Sequence, residues 1–207
     1  MKNMIKDAAV LLVITLFSGL ILGVVYQITK EPIAKAEAEA ARAAYAEVFP
    51  DALEFEPIEE AKTEEIGEEP QWMEAGFSGV SIENVLEARD GNGTKMGYVL
   101  TVISHEGYGG DITFTMGIGN DGTLNGISIL KITETAGLGM RAEEDLKPQF
   151  AGKNVSAFTY TKTGAASENQ IDAISGATIT TNAVTTAVNG GLYYFQTWLG
   201  GGGNEAE

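Results

Sequence analysis

An α+β protein, with one N-terminal transmembrane helix and then a single domain of antiparallel sheet packed by helices, is predicted by three features of this 207-residue chain. Residues 8–28 form an apolar run without a charged side chain. The centre of the chain holds two pairs of apolar, β-branched runs, each pair joined by a tight Asp/Asn/Gly turn. A helical apolar pattern, Ile179, Ala183, Val184, Ala187 and Val188, closes the chain.

The elements follow in order. Residues 1–7 form a short tail with Lys2 and Lys6, and residues 8–28 supply the roughly twenty apolar residues that a bilayer-spanning helix needs. Signal peptides have shorter apolar cores, so an uncleaved anchor is the reading. Gly19 and Gly23 make a G-x-x-x-G pair, a helix-packing face or simply the glycine content common in membrane helices. Lysines and an arginine flank both ends, so charge alone does not orient the span. Glu31-Pro32 suits a helix start, proline being tolerated in a first turn. Residues 33–48 are rich in strong helix formers, and 29–50 read as a helical stalk. Residues 51–75 form an acidic segment, with Asp51, Glu54, Glu56, Glu59, Glu60, Glu64, Glu65, Glu68 and Glu69 against Lys62 alone. Such a run reads as a solvated or mobile surface.

Residues 76–199 make the folded domain. Asn84–Arg89 and Met96–Ser104 flank Asp90-Gly91-Asn92-Gly93, and Asp111–Ile118 and Thr123–Ile132 flank Asn120-Asp121-Gly122. Two consecutive hairpins imply an antiparallel sheet. A helix is expected from near Arg141, with Glu143, Glu144 and Asp145 in its first turn. The last helix, about 179–199, covers the sheet with Val184, Val188, Leu192 and Phe195 or Tyr194. Asn189-Gly190-Gly191 marks a break in it or a close backbone contact. Residues 200–207 read as a disordered tail.

Composition excludes several function classes. A formal net charge of -16 argues against nucleic acid as a partner. With no cysteine, disulfides, thiolate metal sites and cysteine-ligated iron–sulfur clusters are excluded. The single histidine, His105, cannot build a multi-histidine metal centre and reads as a surface residue, and no metal site is expected.

Chemistry concentrates in Asp172-Ala173-Ile174-Ser175-Gly176-Ala177-Thr178, ahead of the last helix. An Asp plus S-G-A-T recurs by chance in such a chain roughly a few times in ten thousand, although helix-start chemistry alone would read it as a Ser/Thr cap. A helix N-terminus favours an anion through its free N–H groups and dipole. Gly176 permits close backbone approach, and Ser175, Thr178, Thr180 and Thr181 add hydroxyls. Two glycine-rich loops, Gly107-Tyr108-Gly109-Gly110 and Glu134-Thr135-Ala136-Gly137-Leu138-Gly139, lack the βαβ setting of a dinucleotide fingerprint.

The S-G-A-T run resembles the flavinylation site of the extracytoplasmic FMN-binding subunits of Rnf complexes and of the Na⁺-translocating NADH:quinone reductase. The loop at 134–139 resembles that family's E-T-P-G-L-G, with Ala136 in place of its Pro. Chain length and a single N-terminal span fit the Rnf G subunit better than its larger cousin. The resemblance implies FMN held as a phosphoester on Thr178 by a dedicated flavin transferase, with Asp172 serving recognition by that enzyme. It also implies that Ser175, Gly176, Ala177, Glu134, Thr135, Gly137, Leu138 and Gly139 contact the flavin. It further implies a domain outside the cytoplasm, and partners in a membrane complex that moves electrons between ferredoxin and NAD⁺ with ion transport. No complete active site of its own is expected in this subunit. A stand-alone extracytoplasmic flavinylated carrier and a non-redox anchored binding module are the alternatives.

Overall fold

The computed structural model describes residues 2–58, 61, 63 and 66–200. Met1, the acidic positions Glu59, Glu60, Glu64 and Glu65 with Lys62, and tail residues 201–207 lie outside the described residues. The chain divides into two compact units between Ala40 and Ala41.

Helix α1, Lys2–Val48, runs through the predicted span and the predicted stalk without interruption. Residues 4–28 are exposed on every side; residues 8–28 are apolar and uncharged, and this helix is long and apolar enough to cross a membrane. Pro32 lies inside the helix, so the helix start expected at Glu31-Pro32 is corrected. Proline removes one backbone bond, and the helix-favouring sequences on both sides carry the helix across that gap.

The second unit holds a five-stranded antiparallel meander, ordered β1-β2-β3-β4-β5. Its strands are β1 Glu54–Pro57, β2 Val80–Arg89, β3 Lys95–Ser104, β4 Ile112–Gly119 and β5 Leu124–Lys131. Both predicted hairpins are present, pairing Ala88 with Gly97 and Gly117 with Gly126 near their turns. Their aspartates organise the turns: Asp90 Oδ1 accepts from the amides of Asn92 and Thr94, each at 2.8 Å. Asp121 accepts from the amide and hydroxyl of Thr123 at 3.0 and 2.9 Å. The Thr94 and Asn92 amides hold the Asp90 carboxyl below the usual carboxylate range, and Thr123 does the same for Asp121. A carboxyl with a depressed folded pKa contributes stability above its unfolded value, about 3.9. That contribution disappears as pH falls through the lower folded value. Asp90→Ala and Asp121→Ala are therefore expected to lower stability at about pH 7, with the gap to the parent closing below about pH 4. Denaturant titrations at the two pH values check this, and a gap that stays constant would contradict it.

Each face of the sheet carries a core. Helix α4, Thr178–Trp198, covers the inner face with Ala183, Val184, Ala187, Val188, Leu192 and Phe195, against Val102, Phe114 and Met116. The Gly190-Gly191 pair does not break the helix; it permits close approach. A Cβ on Gly191 would lie 2.1 Å from Met116 Sδ, and one on Gly190 3.1 Å from Val80 Cγ1. On the outer face, Val48 and Phe49 at the end of α1, with Ala52, pack with Leu86, Ala88 and Val99. Glu47 secures this corner, accepting from Ser128 Oγ at 2.5 Å and pairing with Lys147 at 2.7 Å.

The acidic stretch also contributes to the fold. Beyond β1, a 3₁₀ turn at Ile66–Glu68 and the short helix α2, Pro70–Glu74, carry Ile66 and Trp72 into the inner core. The helix expected near Arg141 is present but irregular. A 3₁₀ turn at Gly139–Arg141 passes into a π-helical turn at Ala142–Leu146 and then α3, Lys147–Phe150. Glu143 and Asp145 pair with Lys147 and Arg141, one turn away in each case. Strands β6, Thr159–Thr161, and β7, Gln170–Asp172, form a parallel pair that leads into α4.

Candidate functional site

The entry to α4 is a tightly bonded loop. Gln149 grips the Asp172 backbone, accepting from its amide at 2.7 Å and donating to its carbonyl at 3.1 Å. The Ala177 amide donates to Ile174 O at 3.1 Å. Thr181 Oγ1 accepts from the Ile174 amide at 3.1 Å and donates to Ala177 O at 2.9 Å. The first intrahelical bond runs from the Thr181 amide to Ala177 O, so the preceding amides lie at the open end of the helix. Gly176 has φ +80°, a left-handed conformation, and its Cα faces Leu138, whose Cδ2 would lie 3.1 Å from an added Cβ.

The hydroxyls of this turn are unequal. Thr180 and Thr181 are buried and their hydroxyls bond within the protein, to Glu134 and Ala177. These two hydroxyls thus serve contacts within the protein at the start of the helix. Thr178 is the first residue of the helix and half-buried, and among the described residues its hydroxyl has no hydrogen-bond partner. Ser175 is exposed and likewise unpartnered among them. Asp172 is also exposed, and its Oδ1 accepts from the Ala165 amide at 2.7 Å.

Beside Thr178 opens a pocket of about 520 Å³, within the range of small-molecule sites. Of the residues singled out in the sequence, Glu134, Thr135, Leu138, Gly139, Gly176, Ala177 and Thr178 line it, whereas Ser175 and Gly137 do not. Tyr108 from the first glycine-rich loop, Ile179 and Thr180 complete the wall. Ile179 is in phase with Ala183 yet 53% exposed. It sits at the helix end, where the surface beside it is the pocket and not the core. Leu138 and Tyr108 are 40% and 70% exposed, so the wall presents apolar surface to an occupant.

A planar redox ring with a phosphate tail suits these residues. The apolar side chains match the ring, and the helix end matches the phosphate charge. Arg141 does not line the pocket and pairs with Asp145 at 2.7 Å. His105 also lies outside the lining, bonded to Ser81 Oγ at 2.9 Å and Asp111 Oδ1 at 3.0 Å.

Residues 107–192, which include the whole lining, match the FMN-binding domain family, and residues 1–48 match the RnfG N-terminal region. The G subunit of the Na⁺-translocating ferredoxin:NAD⁺ oxidoreductase complex of Acetobacterium woodii is 32% identical, over 94% of this chain and 93% of that protein. The G subunit of the proton-translocating ferredoxin:NAD⁺ oxidoreductase complex of Clostridium ljungdahlii is also 32% identical, over 92% of this chain and 91% of its own. A crystal structure of NqrC from Shewanella oneidensis aligns with a TM-score of 0.48 at 22% identity, covering 56% of this chain and 59% of that one.

Proposed function

The chain belongs to the family of G subunits of ion-translocating, Rnf-type oxidoreductase complexes, and on that premise we propose that it is a membrane-anchored electron-transfer subunit carrying FMN esterified to Thr178. Its complex is a ferredoxin:NAD⁺ oxidoreductase coupled to ion transport, and the remaining sites belong to other subunits. The observation that carries the covalent assignment is the free hydroxyl of Thr178, at an open helix end on the rim of an apolar-walled pocket.

FMN supplies the redox chemistry when bound. The chain supplies position and field. A phosphodiester keeps one negative charge, which the amides at the start of α4 are placed to solvate. The ester fixes one end only, so a second contact must hold the ring, and Leu138 with Tyr108 provides it. The chain's net charge of -16 disfavours added negative charge on the ring. A flavin transferase makes the ester during maturation.

Residues 1–7 stay in the cytoplasm and the domain lies outside, as in the family this chain resembles. Protease added to sealed spheroplasts should digest the domain; protection until lysis would reverse the topology.

Intact mass of the protein from its own host tests the covalent reading. One FMN minus one water should be added, on the peptide spanning Asp172–Thr178. The ring contact has a separate expected result. Leu138→Ala keeps the added mass but shifts the flavin absorption bands or midpoint potential. An unchanged spectrum and potential would remove Leu138 from the ring contact.

A further inference from the structure

Glu134 is 8% exposed and lines the pocket, yet both its carboxylate oxygens are engaged within the protein. The Gly109 amide donates to Oε1 at 3.2 Å, and Thr180 Oγ1 donates to Oε2 at 3.1 Å. The backbone around the carboxylate leaves no room for a side chain. A Cβ on Gly107 would lie 2.8 Å from Oε1, and one on Gly139 would lie 2.7 Å from Oε2 and 2.6 Å from Thr180 Oγ1. One carboxylate thus joins the three segments that line the pocket, namely the Tyr108 loop, the Leu138 loop and the first turn of α4.

No cation pairs with Glu134 among the described residues. Burying most of a carboxylate without one is unfavourable unless its hydrogen bonds compensate. An ionised carboxylate is acceptor-only, which suits two donors arriving from different segments. We infer that Glu134 is a positioning residue, a clamp that sets Tyr108 and Leu138 relative to Thr178 before any flavin is attached, and not a ligand of the flavin. Resting on the reading of this pocket as the flavin site, the clamp accounts for a glutamate that cannot turn towards the ring without releasing both donors.

The test compares full-length parent, Glu134→Ala, Glu134→Gln and the near-isosteric Thr180→Val, each purified from the native host. Four quantities are measured: intact mass, visible circular dichroism of the flavin bands, midpoint potential, and hydrogen exchange at the Gly109 amide. Glu134→Ala and Thr180→Val should keep the flavin mass. In Glu134→Ala the Gly109 amide loses its acceptor and should exchange roughly tenfold faster or more. In both, the dichroism imposed by a fixed ring should largely collapse, and the double variant should go no further than either single one. Glu134→Gln retains an acceptor for Gly109, while the Thr180 hydroxyl can turn to accept, so it should keep the parental dichroism and potential. Should Gln shift the potential as much as Ala while Gly109 exchange stays at the parental rate, Glu134 acts by its charge and the clamp is wrong. Parental dichroism and exchange in Glu134→Ala would also overturn it. If Glu134→Ala fails to fold, Thr180→Val still decides through the dichroism. Absence of flavin from the parent defeats the proposed function instead, and Gly109 exchange then tests the clamp alone.

Discussion

Thr178→Ala is expected to give a folded protein from which covalent flavin is absent, because no bond within the described chain uses the Thr178 hydroxyl. Alanine is a strong helix former and suits the first position of α4, so loss of flavin should come without loss of fold. Thr178→Ser keeps the oxygen with a less restricted side chain, and a reduced yield of flavinylated protein is expected. Thr181→Val is the structural control. Its hydroxyl locks the loop to the helix, so it should lower stability before it lowers the flavin content of the folded fraction. Flavin fluorescence on a denaturing gel, with mass mapping of the tryptic peptide, separates these results. Flavin retained on the Ala variant, or mapped to Ser175, would end the assignment.

Trp72→Ala has the second largest expected effect, a loss of about 3–5 kcal/mol in unfolding free energy. Trp72 is fully buried, and its Nε1 donates to Val80 O at 3.2 Å. It packs against Phe77 at 5.1 Å and Trp198 at 6.2 Å between ring centroids, and beside Gly190. Truncation opens a cavity between α4 and the start of β2, and removes a buried donor from a carbonyl. A loss of this size is a large share of a typical domain's stability of about 5–15 kcal/mol. Trp72→Phe keeps most of the packing and loses the bond, so an intermediate effect is expected. Reversible denaturation of the Ala and Phe variants beside the parent measures both, and a change below about 1 kcal/mol for Ala would show that this region is not part of the core.

Trp72 also shows where sequence reasoning reached its limit. Its neighbours are Glu68, Glu69 and Glu74, and charge density there masks two isolated apolar side chains, Ile66 and Trp72, that have no period to expose them. The hairpins were legible because each turn aspartate sits before glycines, between β-branched runs, so turn chemistry and pattern agree. Helix α4 was legible from its apolar spacing, and its start from the S-G-A-T run that precedes it. Pro32 misled because a local rule about proline is weaker than a helix favoured on both sides. Glu134 belongs to a loop singled out in the sequence and lines the pocket, but the partners of its carboxylate were not legible. Which way a carboxylate turns depends on Gly109 and Thr180, 25 and 46 positions away, and no local pattern encodes that pairing.

The seam between the two compact units falls at Ala40–Ala41, inside a helix and not in a loop. The last two turns of that helix place Ala44, Tyr45 and Val48 in the folded domain, where Val48 and Phe49 shield the outer sheet face. Shortening the protein to obtain a water-soluble form therefore has a narrow permitted window. Removing the first unit, Met1–Ala40, leaves both cores closed. Trimming as far as Pro50, just past the end of the helix, would strip the cover from Leu86, Ala88 and Val99 and leave a sticky sheet prone to self-association. The same limit governs chimaeras, in which one anchor is exchanged for another. A donor segment joined at Ala41 should continue as helix, since the boundary lies within helix α1.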